Sequence, residues 1–151
     1  RIAAWIGGGE LLDAVSFERT IYAPPPRRFE AGTPNIAGFI GLAAAIDYLA
    51  AQDFDALHAH EQALLQRLLD GLRELGGVRF IGSVKNRVPV VSFTLEDAHA
   101  TDVAMLLDME GVAVRSGQHC AHPLMQRFGV NATLRASMAF YNTIDEVAKF
   151  T

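Results

Sequence analysis

The only cysteine of the chain, Cys120, lies in the segment RSGQHCAHP, with His119 and His122 beside it and Arg115 five residues before it. A single cysteine is often a small buried hydrophobic residue. This one lies in an irregular segment between two predicted strands, where scaffolds usually carry function. The segment HPLMQRFG that follows predicts a short helix ending at Gly129. A thiol just before a helix N-terminus, near a guanidinium and imidazoles, is favoured as a thiolate, which is the environment of a nucleophile.

A second candidate residue is Arg135, in the segment ATLRASMAF. In a strand, alternation places Leu134, Ala136, Met138 and Phe140 on one face and Thr133, Arg135 and Ser137 on the other. If the apolar set faces the core, the guanidinium emerges on the polar face of a rigid strand. There it suits a bidentate grip on a carboxylate or phosphate. An ordinary surface arginine is the alternative.

Two other chemistries fit the cysteine segment less well. Zinc requires three or four ligands, and His119, Cys120 and His122 offer poor mutual geometry with no second cluster, so we expect no metal site. A Cys-His hydrolase is better chemistry, but no acidic orienting residue or oxyanion motif can be located. The remaining histidines are expected to be solvated side chains: His58, His60 and His99.

The first third of the chain shows little periodicity before one long apolar run. Gly and Pro divide residues 1–35, which predict extended segments, loops and one short helix near residues 10–15. The run IAGFIGLAAAIDYLA predicts a helix over residues 36–50, buried among other elements because it is apolar nearly all round. Asn35 is its predicted cap.

The remainder of the chain predicts an α+β arrangement. Helical spacing of leucines predicts a long helix over residues 54–75, and a third helix is predicted over residues 101–110. Strands are predicted at residues 78–82, 88–95, 112–116 and 132–140. This order predicts a small, mostly antiparallel sheet covered by helices on one face.

The composition of the 151 residues, half apolar and a fifth charged, indicates a soluble folded domain. The net charge of −4 comes from interspersed acids and bases. This pattern offers no basic stripe for nucleic acid and no cationic helix for a membrane surface, so we expect neither partner. A single cysteine forms no internal disulfide and the sequence shows no targeting segment, so we expect a cytoplasmic protein.

The segment AVRSGQHCAHPLMQRFGVNATLRASMAFYNTIDEV resembles the C-terminal motif of group II cysteine desulfurases, the SufS and CsdA type within the class-V pyridoxal-phosphate enzymes. The segments GGGELL, RFEAGTPNIAGFIGLAAAIDYL, HEQ and LLDMEGVAVRSG are similar to the same family, so the resemblance covers essentially the whole chain. The pair of Gln118 and His119 before the cysteine resembles the CsdA-like branch, whereas many SufS-type members have two histidines there, and Gln118 leaves the subtype open.

The resemblance implies that the enzyme converts L-cysteine to L-alanine with pyridoxal phosphate as electron sink. Cys120 would take the sulfur as a persulfide and pass it to an acceptor protein of the SufE or CsdE type, for iron-sulfur cluster assembly or other pathways. Arg135 matches the arginine that binds the substrate carboxylate, and the resemblance places Arg115 and His119 at the substrate as well. Two further residues match the loop that reaches the cofactor phosphate of the partner subunit in a homodimer: Gly32 and Thr33.

The chain departs from the family pattern in its lysines. Only Lys85, in a predicted hairpin turn, and Lys149 are present, and neither has the surroundings of the family's cofactor lysine. That lysine belongs to a large N-terminal domain. We therefore interpret residues 1–35 as the end of that domain and residues 36–151 as the small C-terminal domain. Alone, the chain is expected to be inactive and to bind no pyridoxal phosphate covalently.

Two features at the ends suggest a piece of something larger: the chain opens on Arg1 without methionine, and a T-x-x-E capping box starts a helix of only about two turns. A naturally short C-terminal turn in a processed protein is the alternative interpretation of these ends. For the function, the alternative is a cofactor-free sulfur-relay or interaction module that uses the thiol of Cys120.

Overall fold

A computed structural model of the chain describes residues 2–83 and 87–151. The chain divides into two compact units, Arg1–Gln52 and Asp53–Thr151. The assignment of residues 1–35 and 36–151 to two domains stays a prediction. The predicted turn around Lys85 lies outside the described residues.

The first unit contains a two-stranded antiparallel hairpin, β1 (Leu12–Val15) and β2 (Thr20–Tyr22). The helix predicted near residues 10–15 is therefore wrong. The Ser16 hydroxyl accepts hydrogen bonds from the backbone N–H groups of Glu18 and Arg19, each at 3.2 Å, and so closes the turn. Residues 12–15 form a strand because this turn brings back a segment rich in strand-favouring side chains to pair with them.

A short 3-10 turn (Arg27–Phe29) and helix α1 (Ile36–Ala50) complete the first unit. The predicted cap is confirmed, since the Asn35 side chain accepts a hydrogen bond from the Gly38 N–H at 2.9 Å. The predicted burial of α1 is wrong, because none of its residues is buried. An all-round apolar pattern shows that a helix can be covered, but it does not specify which element covers it.

The second unit is α+β, as predicted, and its elements follow the predicted order. The helices are α2 (Phe54–Glu74), α3 (Ala100–Met109), α4 (His122–Phe128) and α5 (Ile144–Phe150). The strands are β3 (Val78–Ile81), β4 (Val90–Leu95), β5 (Arg115–Gly117) and β6 (Thr133–Ser137). They form one sheet in the order β3-β4-β6-β5, in which every neighbouring pair is antiparallel.

One face of the sheet packs against α2, α3 and α5. Phe93 of β4 and Leu134 of β6 are buried in register with each other, and they share one hydrophobic cluster with the leucines of α2. Phe93 also meets Phe150 of α5 edge to face, with ring centroids 6.3 Å apart. The predicted capping box of α5 is confirmed, since the Thr143 and Glu146 side chains each accept a hydrogen bond from the other's backbone N–H.

The opposite face of the sheet is covered by α4, so the prediction of helices on one face only is wrong. Met125 of α4 is buried, and it lines a cavity together with Ile81 of β3 and Arg135 of β6. The Arg79 guanidinium of β3 donates to the Phe128 carbonyl at the end of α4, at 2.7 Å. The helix that follows the cysteine is thus fixed to the polar face of the sheet.

Within residues 2–83 and 87–151, no single helix has the length and hydropathy needed to cross a membrane. Among the described helices, those lengths and hydropathies are met only when α1 and α2 are counted together as one broken span.

The cost of truncating a leucine in or just after α2 depends on how deeply its side chain is buried. Leu64 is completely buried, whereas Leu75, just after α2, is 55% exposed. We expect Leu64→Ala to lower the free energy of unfolding by about 2–5 kcal/mol, because it removes buried methyl groups and leaves a cavity. Leu75→Ala, the matched control, should change it by only about 0.5 kcal/mol. Urea denaturation measures both, and equal losses would contradict this assignment of the core.

Candidate active site

Cys120 lies in a tight loop, residues 118–121, between β5 and α4. The Ala121 N–H donates to the Gln118 carbonyl at 2.9 Å, which closes the turn. His119 and Cys120 both have left-handed backbones, with φ of 54° and 58°, a conformation that residues other than glycine seldom adopt. The thiol is free and exposed. The loop therefore presents its sulfur to solvent from a constrained backbone.

Helix α4 starts two residues after the cysteine, as predicted from the sequence, and ends at Gly129. Gly129 has a φ of 65°, a left-handed conformation that glycine adopts without strain. His122, the first residue of α4, is exposed.

The ladder between β5 and β6 places two arginines opposite each other. Arg115 pairs with Arg135, and Gly117 pairs with Thr133. The strand predicted at residues 112–116 is shifted toward the C-terminus: β5 begins at Arg115, because only residues 115–117 hydrogen-bond to β6. Side chains directly opposite in a sheet share a face, so two positive charges stand side by side there.

No carboxylate neutralises this pair in the parts of the chain that the structure describes, where the one ion pair joins Arg73 and Asp70 at 2.7 Å. Like charges held opposite each other are unfavourable unless an anion sits near them. The pair of Arg115 and Arg135 is therefore suited to an anionic ligand such as a carboxylate.

The two arginines differ in their surroundings. Arg135 is half-buried, and its Nε is buried without a hydrogen-bond partner among the described residues. It borders a cavity of about 180 Å³ that is also lined by Ser92 and by three residues of α4. Arg115 is exposed. Packing thus restricts Arg135 more than Arg115.

His119 contacts a residue that the sequence analysis did not select. Its Nε2 lies 2.9 Å from the Oγ1 of Thr133, which is completely buried. Strand alternation places Thr133 on the face of Arg135, but only the folded loop brings the imidazole to it. Burial and the positive charge of Arg135 lower the pKa of His119, a hydrogen bond to the backbone of Thr133 opposes this change, and Arg115 lowers it further. These effects together favour the neutral form of the ring.

The other histidines are not all solvated. His58 is exposed, as predicted, but the His60 Nε2 lies 2.8 Å from the Asn142 carbonyl oxygen and joins α2 to the segment before α5. His99 is exposed, and its Nδ1 accepts a hydrogen bond from the Thr101 N–H at 3.3 Å at the start of α3. Across residues 2–83 and 87–151, no three His, Cys, Asp or Glu side chains come together as a metal site would require.

Gly32 and Thr33 lie in an exposed bend just before α1. A Cβ added at Gly32 would meet nothing within 4 Å, so a phosphate group has open access to the backbone there. The Nζ of Lys149 donates a hydrogen bond to the Glu110 carbonyl at 2.7 Å.

Comparisons with known proteins agree on one family. The family model described as Aminotransferase class-V matches residues 1–150. A probable cysteine desulfurase of Xylella fastidiosa (strain Temecula1) is 55% identical over 146 residues, a match that covers 97% of this chain and 35% of that protein. The chain spans about a third of the length of the curated relatives it matches first.

Two solved structures are similar to the chain in fold and sequence. The cysteine desulfurase CsdA (S-sulfonic acid) from Escherichia coli superposes with a TM-score of 0.85 at 37% identity, covering 97% of this chain and 36% of that chain. The apo cysteine desulfurase of Thermococcus onnurineus NA1 superposes with a TM-score of 0.84 at 43% identity, covering 95% of this chain and 36% of that chain.

The lowered pKa of His119 predicts a pH dependence of stability. Below the ordinary pKa of 6.5 the unfolded chain binds this proton more readily than the folded chain, so the free energy of unfolding falls as the pH drops through that value. We expect His119→Gln to reduce this fall, measured by urea denaturation between about pH 5 and about pH 7. His58→Gln, which changes an exposed ring, is the matched control. An equal effect of the two substitutions would contradict the assignment to His119.

Proposed function

This chain belongs to the class-V aminotransferase family, and on that premise we propose that it carries the sulfur-accepting part of a cysteine desulfurase active site. The enzyme would convert L-cysteine to L-alanine and leave a persulfide on Cys120. The observation that supports this best is the exposed thiol of Cys120 in a constrained loop. The loop directly follows β5, whose first residue, Arg115, pairs with Arg135.

The proposed step transfers one sulfur atom from L-cysteine to Cys120. The thiolate of Cys120 attacks the sulfur of L-cysteine, a sulfur-sulfur bond forms, and the carbon-sulfur bond of the substrate breaks. The carbon takes a proton and leaves as L-alanine, and Cys120 carries one additional sulfur. Pyridoxal phosphate, when bound, supplies the electron sink for this cleavage.

The arginine pair would hold the substrate carboxylate during this step. Arg135 offers a planar fork restricted by packing, and Arg115 adds a second positive charge on the same face. His119 would contact the substrate as well, and its lowered pKa disfavours a third positive charge there. A fixed carboxylate orients the substrate sulfur toward the thiol.

The chain would share its cofactor site with other parts of the enzyme. Gly32 and Thr33 would contact the cofactor phosphate of the partner subunit in a homodimer, and the lysine that binds pyridoxal phosphate covalently would lie outside these 151 residues. The chain by itself would then be inactive and would bind no pyridoxal phosphate covalently.

The persulfide would be passed to an acceptor protein of the SufE or CsdE type in the cytoplasm, for iron-sulfur cluster assembly or another sulfur pathway. The exposure of Cys120 supports such a transfer, since an acceptor thiol must reach the terminal sulfur. A cofactor-free relay would use the same thiol. The match of Gly32 and Thr33 to the family's cofactor-phosphate loop favours the desulfurase, because a relay has no use for a phosphate contact.

Replacing the nucleophile tests the proposed function. In the full-length enzyme, we expect Cys120→Ser to abolish persulfide formation while the cysteine-induced change in cofactor absorbance remains, because the thiol acts after the substrate has bound. Ser137→Ala, at an exposed end of β6, is the control and should retain activity. Loss of cysteine binding in Cys120→Ser would show a structural role instead, and unchanged persulfide formation would contradict the proposal.

The two arginines should differ when each is replaced by lysine. We expect Arg135→Lys to raise the KM for cysteine sharply and to lose about 2–4 kcal/mol of transition-state stabilisation, because lysine cannot form the two parallel hydrogen bonds of a guanidinium. Arg115→Lys should be milder, since Arg115 is exposed. Steady-state alanine release measures both. Near-normal kinetics for Arg135→Lys, or greater damage from Arg115→Lys, would overturn the assignment.

A further inference from the structure

Thr133 is the one buried polar residue among residues 2–83 and 87–151, with no exposed surface at all. A hydroxyl removed from water is unfavourable unless it has a hydrogen-bond partner. Here the partner is the Nε2 of His119, 14 residues earlier in the chain and 2.9 Å away. The contact therefore joins a fixed position in the sheet to the residue immediately before Cys120.

The position of Thr133 in the sheet suits it to hold the loop. It lies opposite Gly117, the last residue of β5, so the loop begins directly across from it. Its neighbour Leu134 is completely buried in the core and fixes the strand. The hydroxyl thus reaches the loop from a part of the fold that cannot shift easily.

The contact also orients the imidazole. A threonine hydroxyl can donate or accept a hydrogen bond, so either neutral tautomer of the ring can make this contact through Nε2. Nδ1 is buried and has no hydrogen-bond partner among the described residues, so the bond to Thr133 is the polar contact that orients the ring. His119 and the next residue, Cys120, both have left-handed backbones, so the orientation of the ring is coupled to the backbone that presents the thiol.

We propose that Thr133 is a positioning residue for sulfur transfer: its hydroxyl holds the ring of His119, and through it the left-handed backbone that presents the thiol of Cys120. This inference rests on the proposed function for its role in desulfuration. The positioning of the thiol itself can be measured independently of the proposed function.

Replacement of the hydroxyl by a methyl group of the same shape tests the contact. We expect Thr133→Val to shift the ¹⁵N resonances of the His119 ring and to slow both alkylation of Cys120 by iodoacetamide and persulfide formation in the full-length enzyme about five-fold, the factor that one buried hydrogen bond commonly contributes. Thr133→Ser keeps the hydroxyl and should restore all three. Thr94→Val, on the same face of β4, is the matched control and should change none of them.

A measurement on the unaltered chain keeps the inference testable if Thr133→Val does not fold. A nuclear Overhauser effect between the His119 ring protons and the Thr133 side chain should be present, and its absence would overturn the inference. Unchanged shifts and alkylation in a folded Thr133→Val variant, or no recovery in Thr133→Ser, would also overturn it. If the shifts and alkylation change but the full-length enzyme forms no persulfide on Cys120, the proposed function fails and the positioning of the thiol stands.

Discussion

The register between β5 and β6 is the constraint on which the candidate active site depends. It places Arg115 opposite Arg135 and Gly117 opposite Thr133. Side chains alternate between the two faces of a strand, so a slip of one residue in β6 would move Arg135 into the core. The burial of Leu134 beside Phe93 prevents that slip. Hydrophobic packing on one face of the sheet thus determines where the charges stand on the other.

The same register concentrates positive charge where no described carboxylate balances it. Two guanidinium groups held opposite each other repel, and the core supplies the stability that keeps them there. The left-handed backbones of His119 and Cys120 add strain on the order of 1 kcal/mol per residue. Both costs are concentrated at the cysteine loop, as expected where a fold sacrifices stability for an anion site and a presented thiol.

The cysteine loop is held at three points by different parts of the fold. Strand β5 fixes its beginning through the ladder to β6, and the bond between His119 and Thr133 fixes its middle. Its end continues into α4, whose last carbonyl accepts a hydrogen bond from Arg79 on the far edge of the sheet. Packing of α4 on the polar face is therefore part of how the thiol is positioned.

Local sequence determined the cap of α1 at Asn35, the capping box of α5 and the helices and strands of the second unit, because caps and periodicity depend on neighbours a few residues apart. It also marked Cys120 and Arg135 as candidate site residues through their types and spacing. Tertiary structure alone decided the strand at residues 12–15, the exposure of α1, the face covered by α4 and the pairing of His119 with Thr133. The physical reason is that each of these depends on a partner brought close by a turn or by packing, and no local pattern specifies that partner.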